Sequence, residues 1–333
     1  MKTLLPFLLA PLALAANYPT TDMIEGIPEP PLGKRWVLNE QFSDEFNGRK
    51  LDENKWLDYH PNWQGRAPGL FEPKNISLKD GMLVMQGSKM KKPQLVKSWD
   101  GKEIEYNISC AAVVSKTLDA HYGYYECRFK ANKTTLSATF WLSTRGKGFY
   151  ISGRLADDGR PGTVNQELDI CECIGRTGDF SGKNFYKGMN ANIHYWFTPK
   201  NGGKKEDIRA TEVRLQRPDG KVPSDDFNTY GCWWRDSCSA SFYLNNEQET
   251  TREFISKDGK IPFIFPNPMG LNMVMETYME PWVELPNERE LSDPKKNCNY
   301  YDWVRSYILV DADNPSTGKV DAAIFKPQLR FIG

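Results

Sequence analysis

Hydrophobic and polar positions alternate in short segments from about Trp36 to Val310. The segments are rich in β-branched and aromatic residues, and turn signals such as "KDG", "NGGKK" and "RPDG" separate them. A helical period sustained over about twelve residues is hard to find. The pattern therefore predicts an all-β protein, a sandwich of two antiparallel sheets. Its predicted strands include "GMLVMQGS", "YGYYECRFKA", "SATFWLS", "NANIHYWF", "SASFYLNN" and "WVRSYILV".

The two ends of the chain differ from this alternating pattern. Residues 1–16 combine Lys2, a short apolar run and the small-residue pattern "ALA", which is typical of a secretory signal peptide. That run is too short to span a bilayer as a helix. Residues 17–35 are rich in Pro and read as an extended lead-in, residues 36–312 as one domain, and residues 313–333 as a tail or edge strand. We expect a secreted protein, either extracellular or periplasmic.

Composition narrows the range of partners. Lysine plus arginine and aspartate plus glutamate each number 43, so the net charge favours neither nucleic acid nor an anionic membrane. Ten Trp and fifteen Tyr are enough to fill a core and also to expose aromatic faces, which sugar-binding proteins use. We expect a monomer whose partner is its substrate.

The seven cysteines give no clear disulfide framework, because an odd number leaves at least one unpaired. Cys232 and Cys238 flank a predicted hairpin turn, where they could face each other as a disulfide. Cys171 and Cys173 lie two residues apart on one strand, which suits neither a disulfide nor a metal site. We interpret these two as small core residues.

The stretch "NQELDICECIG" holds three carboxylates, Glu167, Asp169 and Glu172, within six residues. In a regular strand the first two share a face and Glu172 points away. A one-residue β-bulge at Ile170–Cys171 would return Glu172 to that face, and such bulges are frequent beside active sites. The sequence thus predicts three acids on one side of a strand.

Two interpretations of these acids remain open from spacing alone. They could form a solvated edge of a strand, since the flanking Leu168 and Ile170 indicate only that the opposite face is buried. Alternatively, they could serve glycoside hydrolysis with retention, in which one carboxylate attacks the sugar and another exchanges a proton. Ionising all three acids in one cleft would cost electrostatic free energy, so the pKa of at least one of them must rise.

The hexapeptide "ELDICE" resembles the E-x-D-x-x-E active-site signature of glycoside hydrolase family 16. Further segments resemble the family in the same order: "FSDEFNG" followed by "LDENKW", then "YGYYECRFKANKTTLSATFWLS", and finally "DWVRSYILV". The resemblance runs from about Trp36 to Val310. It implies a jelly-roll β-sandwich with a substrate cleft on its concave face.

The resemblance also implies the role of each acid. Glu167 would be the nucleophile, Asp169 the assisting carboxylate, and Glu172 the general acid and base. No organic cofactor is required, because two carboxyl groups and water suffice. A structural calcium ion would be compatible with such a sandwich, but no ligand cluster in the sequence predicts one, and no metal site is assigned.

The chain departs from the glucan-cleaving branches of the family. Those branches carry W-P-x-x-G-E before the first acid, whereas this chain reads "GTVNQE". "PNWQGRAPGLFEPKNISLKDGMLVM", "ATFWLS" and "NIHYW" resemble instead the β-agarases and β-porphyranases, which cleave β-1,4-galactosidic bonds in red-algal galactans. A laminarinase-like β-glucanase and a non-catalytic carbohydrate-binding jelly roll are the alternatives. The sequence does not separate agarose from porphyran.

Five side chains are predicted to bind substrate. Trp63 and Trp141 offer flat faces for sugar rings, and core packing is the alternative for both. Arg66 presents a fork of donors suited to sulfate or hydroxyls, which favours porphyran, although a structural salt bridge would explain it nearly as well. His194 could donate to a sugar hydroxyl or be a satisfied core histidine. Glu276, on a predicted strand, could reach the cleft.

Overall fold

The computed structural model describes residues 26–98, 101–146, 149–151 and 161–313. The predicted signal peptide and most of the C-terminal tail therefore lie outside the described residues. In chain order the strands of the described part are β1 (Lys34–Leu38), β2 (Trp56–Leu57), β3 (Gly69–Phe71), β4 (Ile76–Lys79), β5 (Met82–Gln86), β6 (Ser88–Lys97), β7 (Glu103–Ser115), β8 (Gly123–Lys130), β9 (Ala138–Ser143), β10 (Phe149–Ile151), β11 (Gly162–Cys173), β12 (Met189–Pro199), β13 (Glu206–Arg209), β14 (Val213–Leu215), β15 (Asn228–Trp234), β16 (Ser239–Leu244), β17 (Gln248–Glu253), β18 (Gly270–Met275) and β19 (Cys298–Asp311).

Helical structure in the described residues is confined to short pieces. One α-helix, α1, spans Glu288–Ser292, and 3₁₀ turns occupy Glu40–Phe42, Pro73–Asn75 and Lys183–Tyr186. Asn287 caps α1 in a capping box with Glu290, which satisfies two backbone donors at the start of the helix. No helix in the described ranges has the length and apolarity needed to cross a membrane.

The strands form two sheets that pack face to face. The smaller sheet has the order β17-β16-β15-β8-β19-β5-β4, with β1 added beside β19. The larger sheet has the order β13-β12-β11-β9-β18-β7-β2, with β10, β14, β3 and β6 attached at its sides. All pairings are antiparallel except that of β3 with β7. The prediction of an all-β sandwich is confirmed.

The alternation of side chains explains why the larger sheet has one apolar and one polar face. Along β12, Ala191, Ile193 and Tyr195 are buried in the core between the sheets. Asn192 and Trp196, at the intervening positions, are only partly buried on the outer face. Since β11 and β9 flank one another near the middle of this sheet, outward side chains from β9, β11 and β12 converge there.

Six of the seven cysteines are buried as single thiols, and Cys238 is exposed. Cys171 and Cys173 are fully buried, so their interpretation as packing residues is confirmed. A disulfide between Cys232 and Cys238, in contrast, is not formed, and all seven thiols are free. The register places Cys232 opposite Phe242, in the buried part of the hairpin, while Cys238 lies exposed in the turn before β16.

Candidate active site

A β-bulge in the middle of β11 gathers the three acids. The register shifts between Asp169 and Glu172 against β12, and between Asp169 and Cys171 against β9. The extra residue lies where the sequence predicted it, so that prediction is confirmed. As a result, Ile170 and Cys171 are both buried, and Glu172 returns to the outer face beside Glu167 and Asp169.

The outer face at this point is a recess rather than a flat surface. Asp169 points away from the core and is nevertheless only 4% exposed. Glu167 and Glu172, on either side of it, are partly exposed. Carboxylates that are shielded from bulk water and still accessible are suited to reaction with a bound ligand. We call Glu167, Asp169, Glu172, His194 and Glu276 the acid cluster.

His194 lies beside the first two acids, on β12, where it pairs directly with Glu167. Its Nε2 is 3.4 Å from Oδ2 of Asp169, and its Nδ1 is 2.9 Å from Oδ1 of Asp207. Burial alone would lower the pKa of this imidazole. The hydrogen bonds to Asp169 and Asp207 outweigh burial and raise the pKa of His194 to about 10.

Glu172 has a hydrogen-bond donor for each carboxyl oxygen. The hydroxyl of Tyr278 donates to Oε1 at 3.0 Å, and Nδ2 of Asn192 donates to Oε2 at 2.9 Å. Tyr278 is buried, so its hydroxyl is held in place by the surrounding rings. Both bonds fix the orientation of the carboxyl group and favour its ionised form.

Burial raises the pKa of both Glu167 and Glu172, and the negative charge of Asp169 raises both further. The positive charge of His194 lowers the pKa of Glu167. The hydrogen bonds from Tyr278 and Asn192 lower the pKa of Glu172. The cluster therefore keeps a proton near neutral pH more readily than isolated carboxylates would. A retaining glycosidase needs such a proton on its general acid.

Glu276 and Arg66 form an ion pair at the edge of the acid cluster. Nε of Arg66 donates to Oε2 of Glu276 at 2.8 Å, and Glu276 is buried. The side chain of Arg66 remains 34% exposed, and its guanidinium lies 5.8 Å from the ring centre of Trp63. Arg66 thus makes the structural salt bridge and also keeps part of its side chain open to solvent.

Three aromatic rings form a row beside the acids. Trp141 lies on β9 directly opposite Asp169 and is partly exposed. The ring of His60 is nearly parallel to it at 6.3 Å, and the edge of Trp63 follows at 5.7 Å from His60. Trp63 and Trp141 both pack against the core as well, so each ring keeps only part of its surface open. The open parts of the Trp63 and Trp141 rings can stack against sugar rings, while the buried His60 packs between them.

A second aromatic group adjoins Glu172. Tyr278 lies 4.6 Å from Trp282 and 5.5 Å from Phe185, between ring centres. Trp282 is 45% exposed. This group is joined to the acid cluster by the Tyr278–Glu172 hydrogen bond, and the guanidinium of Arg66 lies 6.0 Å from the ring centre of Tyr278.

One group in the described part of the chain has the spacing of metal ligands. Atoms of Glu167, Asp169 and His194 lie within 4.8 Å of one another. The imidazole faces a carboxylate at each of its nitrogens, and its pKa is raised. A doubly protonated ring has no lone pair to offer a metal, so the geometry fits a charge-compensated carboxylate site better than a metal centre.

Sequence reasoning missed four residues of the site: Tyr278, Asn192, Asp207 and His60. Asn192 shares a strand face with His194 in "NANIHYW", and Tyr278 follows Glu276 by two residues, so alternation could have found both. Asp207 and His60 are placed by the β12–β13 pairing and by the loop before Trp63. Neither carries a signal in its own segment.

A sandwich with three carboxyl groups on a bulged strand beside partly exposed aromatic rings has the arrangement of a glycoside hydrolase. Residues 36–309 match the family model described as β-porphyranase A–D, GH16 domain. The chain belongs to glycoside hydrolase family 16, in its β-porphyranase group.

Individual relatives agree with this assignment. The chain is 51% identical over 303 residues to β-porphyranase D of Zobellia galactanivorans, covering 90% of this chain and 68% of that protein. The crystal structure of a β-porphyranase from the human gut bacterium Bacteroides plebeius superposes with a TM-score of 0.74 at 36% identity, covering 88% of this chain and 98% of that one. An extracellular agarase of Streptomyces coelicolor is 28% identical over 309 residues, covering 85% and 87%.

Proposed function

We propose that the protein is a secreted, retaining endo-hydrolase of β-1,4-galactosidic bonds in porphyran, the sulfated red-algal galactan. One observation carries the proposal: the bulge in β11 brings Glu167, Asp169 and Glu172 to the outer face of the sheet, where both glutamates are partly exposed. The family match supports the substrate class, since the chain shares more identity with a named β-porphyranase than with a named agarase.

In the first step, a carboxylate oxygen of Glu167 attacks the anomeric carbon while the bond to the leaving sugar breaks. Glu172 donates its proton to the leaving oxygen, and its carboxylate is then stabilised by Tyr278 and Asn192. The product of this step is a glycosyl ester on Glu167 and a shortened chain with a free hydroxyl group.

In the second step, Glu172 accepts a proton from water, and the resulting hydroxide equivalent attacks the anomeric carbon of the ester. The ester bond breaks, Glu167 regains its negative charge, and Glu172 is again protonated. Two inversions at one carbon give net retention. Two carboxyl groups and water complete the cycle, so the proposal includes no cofactor and no calcium ion.

Asp169 and His194 assist the nucleophile. Asp169 lies between the two glutamates on the outer face, where its charge opposes ionisation of both. The cation of His194 offsets this repulsion on the side of Glu167. The pKa of Glu167 is nevertheless raised to about 8 and that of Glu172 to about 7, so the two carboxyl groups share a proton near neutral pH. The reactive form is the one in which Glu167 is ionised and Glu172 holds that proton.

Substrate recognition is proposed for Trp63, Trp141 and Arg66, with the buried His60 packed between the two indoles. The aromatic faces can stack on sugar rings, and the exposed part of the Arg66 guanidinium can bind a sulfate or hydroxyl group. Burial and the charge of Arg145 lower the pKa of His60 to about 4, so its ring is neutral. Its Nδ1 accepts from the backbone of Asn62. Nε2–H is then a buried donor that no other described group satisfies, so it is not offered to the substrate.

The experiment that tests the function is hydrolysis of a panel of polysaccharides. Purified protein is incubated with porphyran, agarose, κ-carrageenan and laminarin, and the products are sized over time. We expect rapid shortening of porphyran with even-numbered oligosaccharides, slower or no cleavage of agarose, and no cleavage of the other two. Cleavage of laminarin alone would contradict the proposed substrate class.

The stereochemical outcome tests the mechanism separately. Proton NMR of the first products should show the β-anomer before mutarotation. Inverted products would rule out attack by Glu167. A monomer without nucleic-acid or membrane partners is the proposed working form, and secretion is supported by the apolar segment at residues 4–14.

A further inference from the structure

Asp207 is the least expected member of the site, because it lies two strands away from the three acids. It belongs to β13, the edge strand of the larger sheet, and β12 separates it from β11. Its Oδ1 accepts a hydrogen bond from Nδ1 of His194 at 2.9 Å. Its other oxygen accepts from Nε of Arg209 on the same strand. The carboxylate is thereby fixed at both ends.

The ring of His194 has little freedom to move. It is 7% exposed and stacks against Trp196 at 5.2 Å with an angle of 10° between the rings. Asp169 faces its second nitrogen at 3.4 Å. With a carboxylate at each nitrogen, the ring is oriented only when both nitrogens carry protons, because a neutral ring would present one lone pair to a carboxylate.

We propose that Asp207 is a positioning residue that holds the His194 imidazolium against Asp169 and so fixes one positive charge beside the nucleophile. The proposal rests on the proposed function for its kinetic consequences only. Asp207 does not touch the reacting atoms. It acts through His194, much as a buried carboxylate orients the histidine of a hydrolase triad.

The charges around the ring support this role. From β11, Glu167 and Asp169 face His194, and from β13 it is faced by Asp207, which in turn binds Arg209. Within this set the imidazolium is the cation in contact with Asp169. If Asp207 were neutral, Nδ1–H would lose its anionic partner, and the ring would lose its proton at a lower pH.

The test compares the wild type with Asp207→Asn, which keeps the size of the side chain and removes its charge. Rates on porphyran are measured from pH 5 to pH 9. We expect kcat at alkaline pH to fall about tenfold, KM to stay within about twofold, and the loss to shrink at acidic pH, where His194 remains protonated. The alkaline limb of the profile should therefore move to lower pH.

Nitrogen-15 NMR of the imidazole rings gives a readout independent of activity. The chain has three histidines, so the signals of His194 can be assigned by their loss in His194→Gln. In the wild type both ring nitrogens should stay protonated across this pH range. In Asp207→Asn the ring should titrate within it.

Two further variants keep the test decisive. Asp207→Glu retains the charge and should restore the wild-type pH profile, even if kcat is reduced. Asp219→Asn removes an exposed aspartate that pairs with Arg217 and is the matched control, with no effect expected on either readout. All variants are first compared with the wild type by circular dichroism and thermal unfolding.

The proposal is overturned if Asp207→Asn leaves the titration of His194 and the pH profile unchanged. It is also overturned if kcat falls equally at all pH values, because a purely structural role would do that. Failure of the wild type to cleave any galactan would contradict the proposed function, while the NMR titration would still decide whether Asp207 holds the imidazolium.

Discussion

Each sheet of the sandwich buries a group of charged side chains, and the two groups differ in access. On the smaller sheet, Arg305 donates to Glu45 through Nε at 2.8 Å and through a second nitrogen at 3.2 Å. Glu126 lies beside them and accepts from the hydroxyl of Tyr307 at 3.3 Å. All four are buried, and an aromatic cluster that includes Trp36 adjoins them through Tyr307. We call Glu45, Glu126, Arg305 and Tyr307 the closed cluster.

The same physical cause acts on the acids of both groups. Burial raises the pKa of Glu126 to about 8, although Arg305 opposes this rise. Burial and Asp169 likewise raise the pKa of Glu167 and Glu172. Of these three glutamates, Glu126 is buried, whereas Glu167 and Glu172 are partly exposed. A raised pKa therefore does not by itself mark a catalytic acid. The acid must also be accessible and lie beside partners with a chemical use.

Replacing Glu167 with Gln should give the largest contrast between the two clusters. The variant loses the nucleophile, so we expect kcat on porphyran to fall by at least about 10⁴-fold. It also removes one of three crowded carboxylates, and the melting temperature at pH 8 should rise by a few degrees, as expected when a functional site is relieved of repulsion. Rates and thermal unfolding are measured on the same preparation.

Glu126→Gln is the matched control for Glu167→Gln, since it neutralises a buried glutamate in the closed cluster. It should keep the wild-type kcat. Because the folded pKa of Glu126 is raised, its stabilising contribution is present at low pH and is lost as the pH rises through about 8. Substitution should therefore stabilise the protein mainly at alkaline pH. Normal hydrolysis by Glu167→Gln would show that this residue is not the nucleophile.

Arg305→Met tests the closed cluster by removing its positive charge. Without the guanidinium, Glu45 is left buried without its ion-pair partner, and we expect the free energy of unfolding to fall by about 3–5 kcal/mol. Urea unfolding measures this loss. The activity of the folded fraction should stay within about twofold of the wild type, because Arg305 lies on the opposite sheet. A loss of activity without a loss of stability would mean that the two clusters are coupled.

The sequence predicted those features of the molecule that depend on local alternation. Short apolar segments identified the strands, since side chains on a strand change face at every residue. Glu172, out of step with Glu167 and Asp169, predicted the bulge, because no other regular change brings all three to one face. The fold and the three acids could thus be predicted from single segments of the sequence.

Features that depend on two segments were harder to predict. Asp207 reaches His194 only through the register of β12 and β13, and His60 reaches Trp141 only through the path of a loop. The prediction that Cys232 and Cys238 could form a disulfide was wrong for the same reason. Sequence spacing suggested a hairpin, but pairing of Cys232 with Phe242 decides which side chains meet.

Tyr278→Phe should produce the smallest of these effects and tests one hydrogen bond of the acid cluster. The hydroxyl of Tyr278 donates to Glu172 and lowers the pKa of that carboxyl group. Removing it should raise the pKa of Glu172. Since the first step needs Glu172 protonated, the alkaline limb of the pH–rate profile should move upward by about one pH unit.

Tyr186→Phe is the matched control, because Tyr186 packs in the same aromatic group. It should leave the alkaline limb in place. A downward shift in Tyr278→Phe would mean that the hydroxyl stabilises the protonated carboxyl group instead. Asp207→Asn should move the same limb to lower pH through His194, whereas Tyr278→Phe should move it to higher pH. Opposite shifts would separate two roles in the acid cluster. His194 supplies a positive charge that assists the nucleophile, and Tyr278 is a neutral donor that sets the pKa of the general acid.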